Sequence, residues 1–229
     1  MLQKINNYKN QIALFLAILF HLCGVIGILF TPYKEWFISN TPFTLLLMAL
    51  LLIFTQQQKN ISFFLFFIVA FATGMTAEII GVHTGKLFGN YSYGNILGIK
   101  FFDVPLLIGA NWFIIIYCAG CIIHQLNEWI YKKFGDEMQL SPSLKIIAFV
   151  LDAAMLTTFF DWLMEPIATR LGYWQWLGDG KIHFFNYLCW FAVSAALLLV
   201  FNKLKFNKHN QFAVHLFIIQ LLFFLVLSL

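Results

Sequence analysis

Residues 149–166 read FVLDAAMLTTFFDWLMEP, an apolar run that carries three acids, Asp152, Asp161 and Glu165. Together with the apolar residues before it, the run is long enough to cross a bilayer as a helix, which takes about 20 residues. A charged side chain at the centre of such a helix costs about 3 kcal/mol or more, so its presence needs a compensating contact or a function. The stretch therefore predicts a membrane-spanning helix whose acids serve an internal site or an internal pairing.

The whole chain has the composition of a membrane protein. It is 61% hydrophobic and 10% charged, whereas soluble domains carry about 25% charged residues. Apolar segments predict seven spans, at about 11–30, 42–55, 62–82, 103–124, 143–165, 185–201 and 212–229. We therefore expect an all-α, polytopic transmembrane helical bundle of about seven spans, with residues 1–229 forming a single integral membrane domain. The first span lacks a small-residue cleavage site, so we expect it to be retained.

Cysteine usage and charge disfavour several classes of protein. The four cysteines all fall inside apolar segments, which is typical of small buried side chains and does not indicate a disulfide framework. Cys118 and Cys121 lack a second pair of ligands, so we expect no metal site there. The net charge of +4 is spread over loops, which argues against a nucleic-acid partner.

Loop charges predict the orientation of the bundle. The N-terminus and the loops after spans two, four and six hold eight lysines, and the loops of the other side hold five basic residues. Lysine and arginine are enriched in cytoplasmic loops. We therefore expect a multi-pass protein of the cell (inner) membrane with its N-terminus in the cytoplasm.

Two connections, at about 83–102 and 166–184, are rich in glycine and aromatic residues. This composition suits tight turns packed at a membrane interface. Both connections follow odd-numbered spans, so seven spans place them on the same side. The acids that flank them are therefore drawn towards one membrane face, namely Glu78, Asp103, Asp161 and Glu165.

Helix geometry divides the acids of the fifth span. Asp161 and Glu165 are four residues apart and share a helix face. Asp152 precedes Asp161 by nine residues, which places it about 180° around the helix and roughly 13 Å away along the axis. We therefore expect Asp152 to serve a separate purpose, such as a deep structural hydrogen bond.

Two blocks of residues carry a family resemblance. The first is Glu78-x-x-Gly81-Val82-x-Thr84-Gly85-x-x-Phe88-Gly89-x-Tyr91-x-Tyr93, followed by Gly98, Val104-Pro105-Leu106 and Trp112. The second is Asp161-Trp162-x-Met164-Glu165-Pro166-x-Ala168, followed by Gly172-Tyr173-Trp174-x-Trp176. In this order they resemble the membrane carotenoid biosynthesis proteins of the CruF type, the carotenoid 1,2-hydratases. The resemblance covers roughly residues 78–176.

The resemblance implies a hydro-lyase that adds water across the terminal 1,2 double bond of an acyclic carotenoid end group, such as that of lycopene or gamma-carotene. A proton adds to the alkene, and water captures the tertiary carbocation. Burial in an apolar pocket helps a carboxyl group keep a proton at neutral pH, and a second carboxylate can activate water.

The resemblance also implies no cofactor, a carotenoid substrate and contact with membrane lipid, with other carotenoid pathway enzymes as candidate partners. The implied acid–base group is Asp161, Glu165 and Glu78, with Asp103 as a further catalytic candidate. Aromatic faces can stabilise the cation, and the implied substrate-binding residues are Tyr91, Tyr93, Trp112, Trp162, Tyr173 and Trp174.

Other interpretations remain open at this point. The acids can pair with interface cations, of which the candidates are Lys86, Lys100, Arg170 and Lys181, and Asp103 can be an N-cap. A membrane lycopene cyclase would protonate the same end group but trap the cation with an internal alkene. A transporter would favour broken helices and internal repeats, and no repeat is evident. A retinal protein needs a lysine in the last span, and residues 212–229 contain none.

Overall fold

The computed structural model describes residues 2–134 and 141–229, which form eight helices and four short strands. The helices are α1 (Leu2–Phe30), α2 (Lys34–Ser39), α3 (Thr41–Thr55), α4 (Ile61–Thr84), α5 (Leu106–Phe134), α6 (Pro142–Arg170), α7 (Phe184–Lys203) and α8 (Gln211–Ser228). The strands are β1 (Tyr91–Tyr93), β2 (Lys100–Phe101), β3 (Val104–Pro105) and β4 (Trp174–Trp176). The predicted all-α architecture is confirmed, with the strands confined to the two glycine- and aromatic-rich connections.

Six of the described helices are long and apolar enough to cross a membrane, namely α1, α4, α5, α6, α7 and α8. The shorter α3 also runs from one end of the bundle to the other. At its start, Thr41 Oγ1 lies 2.7 Å from Tyr173 Oη. Just past its end, Gln56 Nε2 donates to the carbonyl of Asn207 at 2.8 Å. Six helices therefore have the length of a membrane span, and α3, at the position of the predicted second span, is shorter, with 15 residues, but joins the same two ends. The short helix α2, which the sequence did not predict, follows α1.

Helix α5 is the centre of the bundle. It packs against α3, α4, α6, α7 and α8, and every residue from Trp112 to Cys121 is buried. Burial on all sides explains why this span is apolar around its whole circumference rather than along one stripe.

The two ends of the bundle have different character. We call the end formed by residues 85–105 and 171–183 the loop end. At the opposite end, Tyr117 Oη donates to Gln56 Oε1 at 2.6 Å and accepts from Asn210 Nδ2 at 3.2 Å. This network joins α3, α5 and the start of α8, so the opposite end is held by polar contacts between helices. The predicted acids lie towards the loop end.

Candidate active site

A two-stranded antiparallel ladder between β1 and β4 joins the two connections of the loop end. It pairs Tyr91 with Trp176 and Tyr93 with Trp174. Since side chains alternate between the faces of a strand, these four aromatic residues share one face, and it is directed into the bundle. The ladder was not predicted from the sequence. The alternating triplets Tyr-Ser-Tyr and Trp-Gln-Trp could have indicated two short strands, although not that they pair with each other.

The two tyrosines of the ladder hold the carboxyl group of Glu78 on α4. Tyr91 Oη donates to Glu78 Oε2 at 2.5 Å, and Tyr93 Oη donates to the same oxygen at 2.8 Å. Trp112 Nε1 on α5 donates to Glu78 Oε1 at 3.0 Å. A Cβ at Gly81, one turn after Glu78, would lie 2.6 Å from Tyr91 Oη, so glycine at this position allows the tyrosine to reach the acid.

Both tyrosine hydroxyls are fixed as donors. Burial raises the pKa of Tyr91 above its ordinary value, and the neighbouring Glu78 raises it further. The pKa of Tyr93 is raised by the same two causes, with burial again the larger. A phenol in this environment keeps its proton at any physiological pH, so both residues present O–H groups to Glu78.

The two tryptophans of the ladder hold Glu165 on α6. Trp174 Nε1 and Trp176 Nε1 both donate to Glu165 Oε1 at 2.6 Å. An indole N–H can only donate, so Oε1 is committed as a double acceptor. Glu165 Oε2 takes part in none of the hydrogen bonds found within residues 2–134 and 141–229.

Asp161 lies one turn before Glu165 and is 0% exposed. Its Oδ2 accepts a hydrogen bond from Asn186 Nδ2 on α7 at 2.9 Å. Its Oδ1 is buried and has no hydrogen-bond partner in the described part of the chain. The shared helix face predicted for Asp161 and Glu165 is therefore observed, but the two acids receive different numbers of donors.

All three acids line one cavity, whose empty volume including its opening is about 370 Å³. We call it the carboxyl cavity. Its aromatic wall includes Trp112 and Trp190, whose rings stack with centroids 4.0 Å apart and an interplanar angle of 12°. Phe88 packs against both rings, with centroid distances of 6.1 and 6.4 Å. The cavity thus combines three carboxyl groups with a wall of buried aromatic side chains.

The structure brings together most of the predicted site residues. Those that line the carboxyl cavity are Glu78, Asp161, Glu165, Tyr91, Tyr93, Trp112 and Trp174. Seven other lining residues were not among the predicted site residues, namely Phe88, Ile108, Asn111, Met164, Trp176, Asn186 and Trp190. Trp176 ends the second sequence block, while the two asparagines carry no local signal because their role depends on which helices pack together.

Three predicted site residues lie elsewhere. Trp162 is 56% exposed, because a residue next to the inward-facing Asp161 is rotated about 100° around the helix. Asp103 lies in the turn between β2 and β3, with a side chain 73% exposed and 3.5 Å from His83. It is not an N-cap, since α5 begins at Leu106. Tyr173 is buried but bonds to Thr41 and lies outside the carboxyl cavity.

The position of Asp152 differs from the one expected from the sequence. Asp152 was expected to make a deep structural hydrogen bond, but it is exposed on the outer face of α6. It takes part in none of the hydrogen bonds found between described residues. The half-turn separation from Asp161 was correct, and it directs Asp152 away from the bundle instead of into a second internal site.

The pairing of these acids with interface cations is not observed. Within the described ranges, no lysine, arginine or histidine forms an ion pair with Glu78, Asp161 or Glu165. Lys100 Nζ instead donates to the carbonyl of Tyr93 at 2.8 Å, and Arg170 donates to the carbonyl of Leu227. Among residues 2–134 and 141–229, the side chains that hold the three acids are all neutral N–H and O–H donors.

A separate group of potential metal ligands lies at the opposite end of the bundle. Among the described residues, His124, Glu128 and His209 place one ligand atom each within 4.8 Å of one another. The two histidines already contact the carboxylate, with Nε2 to oxygen distances of 3.1 and 2.7 Å. Hydrogen bonding accounts for this arrangement, and it is remote from the carboxyl cavity.

The helices and the cavity define a multi-pass membrane protein with a buried, acidic and aromatic site near one end of the bundle. The chain belongs to the carotenoid biosynthesis protein family, whose model matches residues 39–229. This match confirms the resemblance on which the two sequence blocks were interpreted, and it includes every residue of the carboxyl cavity. No curated protein and no solved structure matches the chain.

Proposed function

We propose that this protein hydrates the terminal 1,2 double bond of an acyclic carotenoid end group to a tertiary alcohol. The observation that carries the proposal is the set of three carboxyl groups on one aromatic-lined cavity, held by neutral donors alone. Family membership supports a carotenoid as the substrate. Proton addition to an alkene needs an acid in a site from which bulk water is largely excluded, and this cavity offers one.

Asp161 is the acid in this proposal. A buried carboxylate without donors is costly, whereas a protonated carboxyl group is neutral and carries an O–H donor. Asp161 receives a single donor and has one buried oxygen without a partner in the described part of the chain. It is therefore the group best suited to hold the proton that adds to the alkene carbon.

Glu165 is the base. Five donors stabilise negative charge on Glu78 and Glu165 together. At Glu165 both donors reach the same oxygen, which leaves Oε2 for an incoming water molecule. Water activated there attacks the tertiary carbon and gives its proton to the carboxylate, which is ordinary general base catalysis.

The aromatic wall of the carboxyl cavity can stabilise the tertiary carbocation intermediate. A tertiary carbocation is attracted to the faces of aromatic rings, as other cations are. The stacked Trp112–Trp190 pair and Phe88 supply such faces on the cavity wall. Glu78 adds negative charge on the same side, since Trp112 donates to it.

The test is expression of the protein in a host that makes lycopene or a monocyclic carotene, followed by mass spectrometry of the pigments. We expect a product heavier by one water molecule, and we expect Asp161→Asn to abolish it while the protein stays inserted and monodisperse. A product of unchanged mass would identify a cyclase instead. Unchanged substrate from well-folded protein would contradict both activities.

The same proposal includes an orientation. The loop charges favour a cytoplasmic N-terminus in the cell membrane, which puts the loop end and the carboxyl cavity near the outer face. A reporter enzyme that is active only outside the cytoplasm, fused to the C-terminus, is expected to be active. Activity of a cytoplasm-specific reporter at that position would reverse the orientation.

A further inference from the structure

A second cavity lies beside the carboxyl cavity, between α1, α3 and α8. It has an empty volume of about 660 Å³, including its opening. Its walls are mainly apolar, and Phe160, Phe223 and Phe224 are among the aromatic residues that line it. Helix α1 lies outside the segment matched by the family model, so part of this wall is built by residues that the family comparison does not cover.

Two buried polar side chains interrupt the apolar wall. Gln220 on α8 is 6% exposed, and its Oε1 has no hydrogen-bond partner in the described part of the chain. His21 on α1 is 8% exposed, and its Nδ1 lies 2.7 Å from the carbonyl oxygen of Ala17. A carbonyl only accepts, so Nδ1 carries the hydrogen and Nε2 of the neutral ring is an acceptor. Both side chains therefore offer an acceptor that needs a donor.

Asn111 connects the two cavities. It lines the second cavity and the carboxyl cavity alike, and its amide takes part in none of the hydrogen bonds found between described residues. A third cavity of about 380 Å³ also borders both, but its walls are almost entirely apolar, with Leu45, Leu97 and Ile108 among them. A hydrocarbon chain suits the third cavity, whereas buried acceptors next to an amide suit a small molecule with two O–H donors.

We propose that the second cavity binds water and that Gln220, His21 and Asn111 are positioning residues that supply it to the carboxyl cavity. This inference rests on the proposed hydration. Buried polar groups without protein partners commonly hold ordered water when several of them converge. The reaction consumes one water per turnover, and Asp161 and Glu165 are both buried, so it needs a source of water inside the bundle.

The chemistry gives two measurable fates for the cation. Asp161 transfers its proton to C2, the less substituted carbon of the terminal double bond, and a tertiary cation forms at C1. With water in place, the C–O bond forms, and the released proton passes to Glu165. Without water, the cation loses a proton from an adjacent carbon to a carboxylate, which restores an alkene with no net change. In heavy water this return leaves deuterium in the recovered alkene.

The experiment follows hydrate formation and deuterium incorporation together, with purified protein in heavy water and lycopene as substrate. For Gln220→Leu and for His21→Leu we expect hydrate formation to fall about tenfold, the effect of one lost hydrogen bond to a positioned group. Deuterium in the recovered alkene should stay at the wild-type level or rise. His21→Gln, which keeps a polar group, should restore hydrate formation in part, and the outward-facing Ile218→Leu on α8 is the matched control.

The ratio of deuterium incorporation to hydrate formation distinguishes a variant that has lost its water supply from one that is misfolded. A misfolded variant loses both readouts together, and if both leucine variants did so while His21→Gln gave no recovery, the inference would be overturned. Wild-type rates of hydration in both leucine variants would overturn it as well. If the wild-type protein gave neither hydrate nor deuterium, the proposed function itself would fail, and this inference with it.

Discussion

Replacing Glu165 by glutamine and by leucine separates its charge from its role as an acceptor. Both changes remove the negative charge. Only glutamine keeps a carbonyl oxygen that can accept the indole N–H groups of Trp174 and Trp176, which both donate to Glu165 Oε1 at 2.6 Å. The difference between the two variants therefore measures the two donors, and the difference between glutamine and wild type measures the charge.

The magnitude follows from the burial of the donors. A buried donor left without a partner costs about 1–3 kcal/mol. Trp176 is 8% exposed and Trp174 is half-buried, so the leucine variant should lose about 2–4 kcal/mol relative to the glutamine variant. For a chain of this size that corresponds to a melting temperature lower by roughly 4–16 °C.

The assay is thermal unfolding in detergent, followed by tryptophan fluorescence, together with product formation by mass spectrometry. If Glu165 is the base, as proposed, glutamine removes it, and we expect turnover to fall by about 10²–10⁴-fold with little loss of stability. Glu35→Gln, an exposed acid on α2, is the matched control. Equal melting temperatures for the two Glu165 variants would refute the hydrogen-bond reasoning, and wild-type turnover in Glu165→Gln would remove this residue from the mechanism.

Three further substitutions test the contacts of the β1–β4 ladder and the inward-facing side of α6. In Gly81→Ala the new Cβ would lie 2.6 Å from Tyr91 Oη, so we expect a loss of about 1–3 kcal/mol in stability, measured by the same unfolding assay. An unchanged melting temperature would show that Tyr91 does not pack there. Trp176→Phe removes a donor to a carboxylate and should lower turnover about tenfold. Trp162→Phe, at an exposed position, should change stability by no more than about 0.5 kcal/mol and should keep its turnover. A larger loss of turnover in Trp162→Phe than in Trp176→Phe would place Trp162 at the site.

Local periodicity made part of the site predictable. Asp161 and Glu165 share a face because the helix repeat brings residues four apart together, whatever the rest of the fold does. Glu78 joins them because the parity of the spans brings the ends of α4 and α6 to one side of the membrane. Both inferences needed only the number of spans and the helical repeat.

The remaining features depend on packing between distant segments. The register of β1 against β4 joins residues more than 80 positions apart, and no local pattern specifies that pairing. The same dependence on packing explains why Asp103 and Trp162 lie outside the cavity, although both are close in sequence to residues that line it. Asn111 and Gln220 would be unremarkable polar residues in apolar helices without the knowledge that α5 and α8 border neighbouring cavities.

The side chains that donate hydrogen bonds to Glu78 and Glu165 are neutral, and this matters for the proposed chemistry. A lysine or arginine next to Glu78 or Glu165 would stabilise the carboxylate, but it would also place a positive charge beside the carbocation of the proposed reaction. Tyrosine and tryptophan donate hydrogen bonds without adding net charge, and their ring faces attract the cation. The β1–β4 ladder supplies four such residues in one register, so one structural element donates to both Glu78 and Glu165 without adding positive charge to the cavity. A substitution that adds a cation here, such as Tyr93→Lys, should therefore lower turnover more than Tyr93→Phe, even where it preserves contact with Glu78.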